Sequence, residues 1–137
     1  MKRNIIIILF IIATISFVTF SLIEPKADEF AKKDIDKWDD SFKDAVKQGE
    51  KVFHSALGSN HVSCDMCHPN GANTHPETYP KFQKQIGRVV TLREMINWCI
   101  QNPLEGQPIK MDDPKMILLE TYITWERRGI QLAPGKH

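Results

Sequence analysis

The chain has no surplus of either charge: 18 Lys and Arg stand against 17 Asp and Glu, for a formal net charge of +1 at pH 7. That balance leaves no basic field for a polyanion, so nucleic acid is not an expected partner. Cysteine is scarce, three in 137 residues, and an odd number cannot be used up in pairs. There is a single C-x-x-C, and no two histidines stand in an H-x-x-x-H spacing, so no local pattern offers the four closing ligands of a structural zinc. No internal repeat recurs. Only one long hydrophobic run is present, at the N-terminus.

That run, Ile5 to Ile23, carries no charge, is interrupted only by Thr14, Ser16, Thr19 and Ser21, and follows Lys2 and Arg3. Nineteen residues at the helical rise reach about 28 Å, close to the hydrocarbon thickness of a bilayer. The segment ends Phe20-Ser21-Leu22-Ile23-Glu24-Pro25, without the small residues of a cleavage site, so residues 1–23 are expected to be a signal anchor rather than a cleaved signal peptide. The flanking basic residues put the N-terminus in the cytoplasm and the rest of the chain on the periplasmic side of the membrane. Residues 24–33, charged and containing Pro25, read as a tether. Of 137 residues, removal of the first 23 leaves 114, enough for one core and not for two.

Residues 64–68 read Cys64-Asp65-Met66-Cys67-His68. The C-x-x-C-H spacing lets two thiols reach the two vinyl groups of one porphyrin while the adjacent imidazole rises beneath the iron. Cys64 and Cys67 are therefore the candidate thioether anchors of one covalent haem c, and His68 its proximal ligand. A thioredoxin-like redox pair would need a strand-to-helix setting, whereas the motif follows Gly58-Ser59-Asn60-His61-Val62-Ser63 with no β-branched run. With two cysteines so engaged, Cys99 is a single thiol in an oxidising compartment, where such a group is usually bridged, ligated or reactive.

Periodicity predicts an all-α domain over 34–137. A first helix is expected from Asp34 to Phe53, with Ile35, Trp38, Phe42, Ala45, Val46, Gly49 and Phe53 on one stripe and Gly49 allowing close helix contact. Pro69 to Pro80, rich in Pro, Asn, Gly and Thr, is expected as loop over the cofactor. Thr91-Leu92-Arg93-Glu94 is a capping box that starts a helix ended by Pro103, placing Cys99 on its buried face. A last helix opens at Asp113 with Pro114 in the first turn and runs to Arg128, with Ile117, Leu118, Tyr122 and Trp125 facing the first helix and the two arginines at the negative end of the dipole. Three main helices around one haem result.

The chain resembles the small c-type cytochromes in Gly49-Glu50-Lys51-Val52-Phe53, the C-x-x-C-H motif and the capped terminal helix. More narrowly, Gly58 to His68, Gly87 to Cys99 and Asp112 to Met116 resemble the cytochrome domain shared by thiosulfate dehydrogenases and the haem subunit of the sulfur-oxidation (Sox) system, over about Gly49 to Gly129. The resemblance implies an iron ligated by Cys99 opposite His68, since that family places a ligating cysteine there. On the residues alone Cys99 is equally an inert buried thiol, with Met111, in the loop before the last helix, as the alternative ligand and Met95, Met116 and His75 behind it. His54, His61 and His137 are expected at the surface, and Tyr79, Trp98 and Trp125 receive no site role.

The ligand matters because a thiolate favours ferric iron and a thioether the ferrous state. Two functions remain: single-electron transfer to redox partner proteins, with no catalytic residues, or oxidation of a sulfur oxyanion such as thiosulfate at a cysteine-ligated haem. The resembled enzymes carry arginines where this chain has Gln85 and Met95, and loss of two guanidinium groups removes the bidentate pairing expected of an oxyanion site. Arg88 and Arg93 are close in sequence, with Arg93 expected as a solvated surface residue. Electron transfer is therefore the first reading.

Overall fold

The computed structural model describes residues 30–137. The hydrophobic segment 5–23 and the tether up to residue 29 lie outside the described residues, and among those described no helix is long and apolar enough to cross a membrane. The chain divides after Ile35, and the second unit, Asp36–His137, holds the core. In chain order the elements are α1 (Lys32–Phe53), β1 (Lys81–Gln83), β2 (Arg88–Val90), α2 (Leu92–Gln101) and α3 (Pro114–Glu126), with single 3-10 turns at Cys64–Met66, Pro69–Gly71 and Pro76–Thr78. α1 starts inside the expected tether.

The helix starts follow their local chemistry. Thr91 Oγ1 accepts from Glu94 N at 3.4 Å while Glu94 Oε2 accepts from Thr91 N at 2.8 Å, which closes the capping box of α2. Asp113 Oδ1 accepts from Lys115 N at 2.8 Å ahead of Pro114, so one orphan amide of α3 is satisfied and another is absent. α3 ends at Glu126, two residues earlier than expected; Arg127 is its C-cap, with its amide on Thr124 O and Trp125 O and its side chain on Glu77. Arg128 keeps its predicted place: Nη1 donates to Trp125 O at 2.8 Å, and the guanidinium lies 4.1 Å over the Trp125 ring.

Val46 and Phe53 of α1, Ile96 and Ile100 of α2, and Met116, Leu119, Tyr122 and Ile123 of α3 make one core. α1 crosses α3 at Gly49, where a Cβ would run into Leu118 O and lie 2.8 Å from Tyr122 Cβ. Two parts of the expected packing differ. The α1 stripe is buried only from Val46 onward, with Ile35, Trp38 and Phe42 45 to 50% exposed. Phe42 meets α3 only at its end, edge-on to Trp125 with ring centroids 5.7 Å apart, one residue before that helix stops at Glu126. On α3 the buried face is turned by one residue, so Met116 is fully buried and Ile117 is 43% exposed.

A short hairpin joins the motif region to α2, an addition to the helical elements expected. Lys81, Phe82 and Gln83 pair antiparallel with Val90, Val89 and Arg88, and Gly87 closes the turn at φ +79° with its amide on Gln83 O at 2.8 Å. Asn97, a buried polar residue of α2, holds the loop that follows: Nδ2 donates to Ile109 O at 2.7 Å and Oδ1 accepts from Ile109 N at 2.8 Å. Arg93 is not free in solvent as expected. It bonds Glu120 through Nε and Nη2 at 2.8 and 2.6 Å and Met111 O through Nη1 at 2.6 Å.

Two substitutions test this packing. Gly49→Ala should lower stability by about 3 kcal/mol in chemical denaturation, since overpacking against a backbone oxygen outweighs the ~1 kcal/mol that Ala gains over Gly in a helix. Asn97→Ala should cost about 2 kcal/mol through unpaired buried groups, with faster amide exchange confined to residues 105–113. Gly49→Ala at wild-type stability would show that the helices do not meet there.

Candidate functional site

The C-x-x-C-H stretch is a tight turn. Cys67 N and His68 N donate to Cys64 O at 3.3 and 2.9 Å, and Ser63 Oγ donates to Asp65 Oδ1 at 2.5 Å. A second loop braces its entry, where Gly58 and Gly106 form an isolated bridge and a Cβ on Gly58 would meet Leu104 O. His68 then bonds backward: Nδ1 lies 2.9 Å from Ala72 O. A carbonyl only accepts, so Nδ1 carries the proton and Nε2 keeps its lone pair. That is the tautomer a metal-ligating imidazole needs.

His68 and Cys64 line a cavity of about 180 Å³, with free space in and before it of about 670 Å³. Its apolar walls come from all three helices: Phe53 of α1, Leu92 and Ile96 of α2, and Ile123 of α3. Cys99 and Met95, one turn apart on α2, also line it. Met111 is 43% exposed on its loop, Met116 is sealed in the core, and His75 is turned to Glu77; none of the three lines the cavity. Cys67 is exposed beside it. His54, His61 and His137 are at the surface.

Burial pushes the Cys64 thiol up to about 11 and raises that of Cys99. As free groups both hold their protons at neutral pH, and only a covalent bond or a metal would displace them. Among the described residues no three His, Cys, Asp or Glu side chains gather to hold a bare ion. The donor set instead fits an iron whose other ligands come with a macrocycle: an apolar slot, two thiols at C-x-x-C spacing, a correctly tautomerised imidazole and a sulfur ligand within the walls.

The polar rim of the cavity was not foreseen. Tyr79, Lys81 and Gln83 line it together with Asn73 and Thr74; Gln83 Nε2 donates to Tyr79 Oη at 2.7 Å, and Lys81 Nζ lies 4.9 Å over the Tyr79 ring. A signal existed in the alternation of Lys81-Phe82-Gln83 and Arg88-Val89-Val90 about Gly87. Gln85 Nε2 approaches Met95 Sδ at 3.6 Å, so the two positions that depart from the resembled enzymes touch each other. Arg88 is spent on Glu94, at 2.7 Å.

Beyond the rim, Glu77 is buried and ionised. Arg127 bonds it through Nη2 at 3.0 Å and Nε at 3.4 Å, and His75 Nδ1 lies 3.0 Å from Oε1. The Arg127 hydrogen bond is the main reason that the carboxyl is held down at about 2, from 4.5. With the folded pKa depressed, the stabilisation is present above pH 4.5 and is lost as pH falls toward 2. The stability gap between wild type and Glu77→Gln, from urea titrations, should therefore be full at pH 6 and shrink steadily from pH 4.5 to 3. A gap independent of pH would remove the carboxylate from this role.

Residues 48–132 match the family model for the SoxA/TsdA cytochrome c domain. A thiosulfate dehydrogenase of Psychrobacter arcticus is 29% identical over 101 residues, 64% of this chain and 31% of that protein. The L-cysteine S-thiosulfotransferase subunit SoxA of Pseudaminobacter salicylatoxidans is 26% identical over 88 residues, 62% of this chain and 31% of its own. SoxXA from P. pantotrophus superposes with a TM-score of 0.64 at 18% identity, covering 71% of this chain and 38% of that one, a likeness of fold. The chain spans about a third of the length of these curated relatives.

Proposed function

The chain belongs to the SoxA/TsdA cytochrome c domain family, which makes covalently bound haem c its cofactor, and on that premise we propose that it carries single electrons between redox partner proteins. In this reading Cys64 and Cys67 would form the thioethers, and His68 Nε2 and Cys99 would hold the iron. Bound haem supplies a one-electron couple whose potential is set by its axial ligands and surroundings. The chain's own part is to seat it among Phe53, Leu92, Ile96 and Ile123, orient the imidazole through Ala72 O, and hold a sulfur donor at Cys99. The domain is placed on the periplasmic face of the cytoplasmic membrane by residues 5–23, on the charge pattern of that segment.

The observation that carries electron transfer over catalysis is the neutral Gln85–Met95 contact beside the cavity, where an oxyanion-oxidising site calls for guanidinium groups. The alternative is oxidation of a thiosulfate-type anion, by this chain or by a complex in which it is the haem subunit. It is favoured by the names of the relatives and by a cysteine in the cavity wall. Coupling two such anions releases two electrons while one C-x-x-C-H holds one haem, so a second acceptor would be needed.

Low-temperature electron paramagnetic resonance of ferric segment 24–137, produced with haem maturation, tests the ligands. A low-spin signal of narrow g-spread, lost in Cys99→Ala and kept in Met111→Ala, is expected. The reverse pattern would assign Met111. Turnover of thiosulfate with an artificial acceptor, abolished in Cys99→Ala, would replace electron transfer by the enzymatic reading.

A further inference from the structure

The cavity beside the C-x-x-C-H turn is apolar where the three helices face it, and its polar lining comes from one stretch of chain: Asn73, Thr74, Tyr79, Lys81 and Gln83. Among the described residues no Asp or Glu side chain lines it. A porphyrin seated there brings two propionate carboxylates, borne on the two pyrroles that the thioethers leave free. Neither is stable unpaired against Phe53, Leu92, Ile96 or Ile123, so each has to meet the polar stretch or water.

Two donors of that stretch are not used within it. Thr74 Oγ1 donates to Gly71 O at 2.6 Å and Gln83 Nε2 to Tyr79 Oη at 2.7 Å, so both are engaged, and Asn73 is exposed. Tyr79 Oη accepts the Gln83 bond, which leaves its own O–H proton without an acceptor among the described residues. Tyr79 is half-buried, and burial pushes its pKa up, so the proton stays on oxygen. Lys81 Nζ lies 4.9 Å over the Tyr79 ring and forms no ion pair with a side chain or the C-terminus among the described residues. Lys81 also borders a neighbouring cleft with His75, Glu77, Arg127, Lys136 and His137, but Glu77, the one acidic side chain of that lining, is taken up by Arg127 and His75. Residues 79, 81 and 83 alternate with the exposed Pro80 and Phe82, the period that puts all three on one face of an extended segment.

We propose that Tyr79 Oη and Lys81 Nζ together hold one haem propionate, and that the Lys81 charge held there raises the reduction potential of the haem. A hydroxyl donor and an ammonium presented from one face are matched to a single carboxylate. A positive charge beside the cofactor favours the less positive, ferrous form. Gln83 acts through Tyr79 as a positioning residue: its amide occupies a lone pair of Oη and so limits where the hydroxyl proton points. The inference rests on the reading that haem occupies this cavity.

The test is a redox titration and a resonance Raman spectrum of the haem-loaded full chain. In Lys81→Gln the equilibrium should shift about tenfold toward the ferric form, ~59 mV lower for one electron. The wild-type potential should return in Lys81→Arg and persist in Lys84→Gln, a lysine of the same hairpin outside the cavity lining. In Tyr79→Phe the propionate bending band should move while the low-spin ferric signal of the axial ligands stays, a combination that a loosened fold would not give. A haem-bearing chain with an unchanged potential in Lys81→Gln overturns the role of the lysine, and an unchanged propionate band in Tyr79→Phe overturns that of the tyrosine. An equal fall in Lys84→Gln also overturns the inference, since surface charge alone would then account for the potential. A chain that keeps no haem after denaturation, read from its visible spectrum, would instead overturn the reading of residues 64–68.

Discussion

The crossing of α1 and α3 at Gly49 is the constraint from which the other distances follow. With no Cβ at that position the two backbones approach until Leu118 O and Tyr122 Cβ fill the space a side chain would take. Phe53, one turn further on α1, then meets Tyr122 with ring centroids 5.1 Å apart, and Ile123 is brought alongside. These residues form two walls of the slot, and α2, started by its capping box and tied to Ile109 through Asn97, forms the third. A wider crossing would separate Phe53 from Ile123 and open the slot to water, which would weaken every electrostatic effect inside it.

What the slot holds is decided by small polar contacts at its edge. The bond from His68 Nδ1 to Ala72 O leaves Nε2 as a base, and burial keeps the Cys99 thiol protonated until a metal competes for it. The rim is asymmetric. On the side of Gln85 and Met95 it is neutral, while on the side of Tyr79, Lys81 and Gln83 it carries charge and hydrogen-bonding groups. The cavity therefore has sulfur in one wall, at Cys99 and Met95, and a lysine at its border.

The Glu77–Arg127 pair shows how a buried polar contact joins distant segments. It lies one residue past the end of α3, joins that helix to the loop that follows the C-x-x-C-H motif, and holds the plane of the guanidinium. Nothing in the spacing of residues 77 and 127 announces it, since fifty residues separate two groups that otherwise read as ordinary surface charges.

The haem motif, the capping box, the N-cap at Asp113 and the buried side of α2 were legible in the sequence because each depends on residues within about four positions of one another, where covalent geometry and helical period leave little freedom; the close contact at Gly49 was legible only as a gap on the α1 stripe, its partners Leu118 and Tyr122 lying far along the chain. The same locality made Ile35, Trp38 and Phe42 look like core: periodicity marks a helix face but not how far a partner helix reaches along it. Which sulfur faces the cavity, the turning of His75 to Glu77, the Gln85–Met95 contact and the shared position of Lys81 were decided only by the tertiary structure. Each depends on how elements far apart in the chain are brought together, through packing against a slot whose shape no single segment contains.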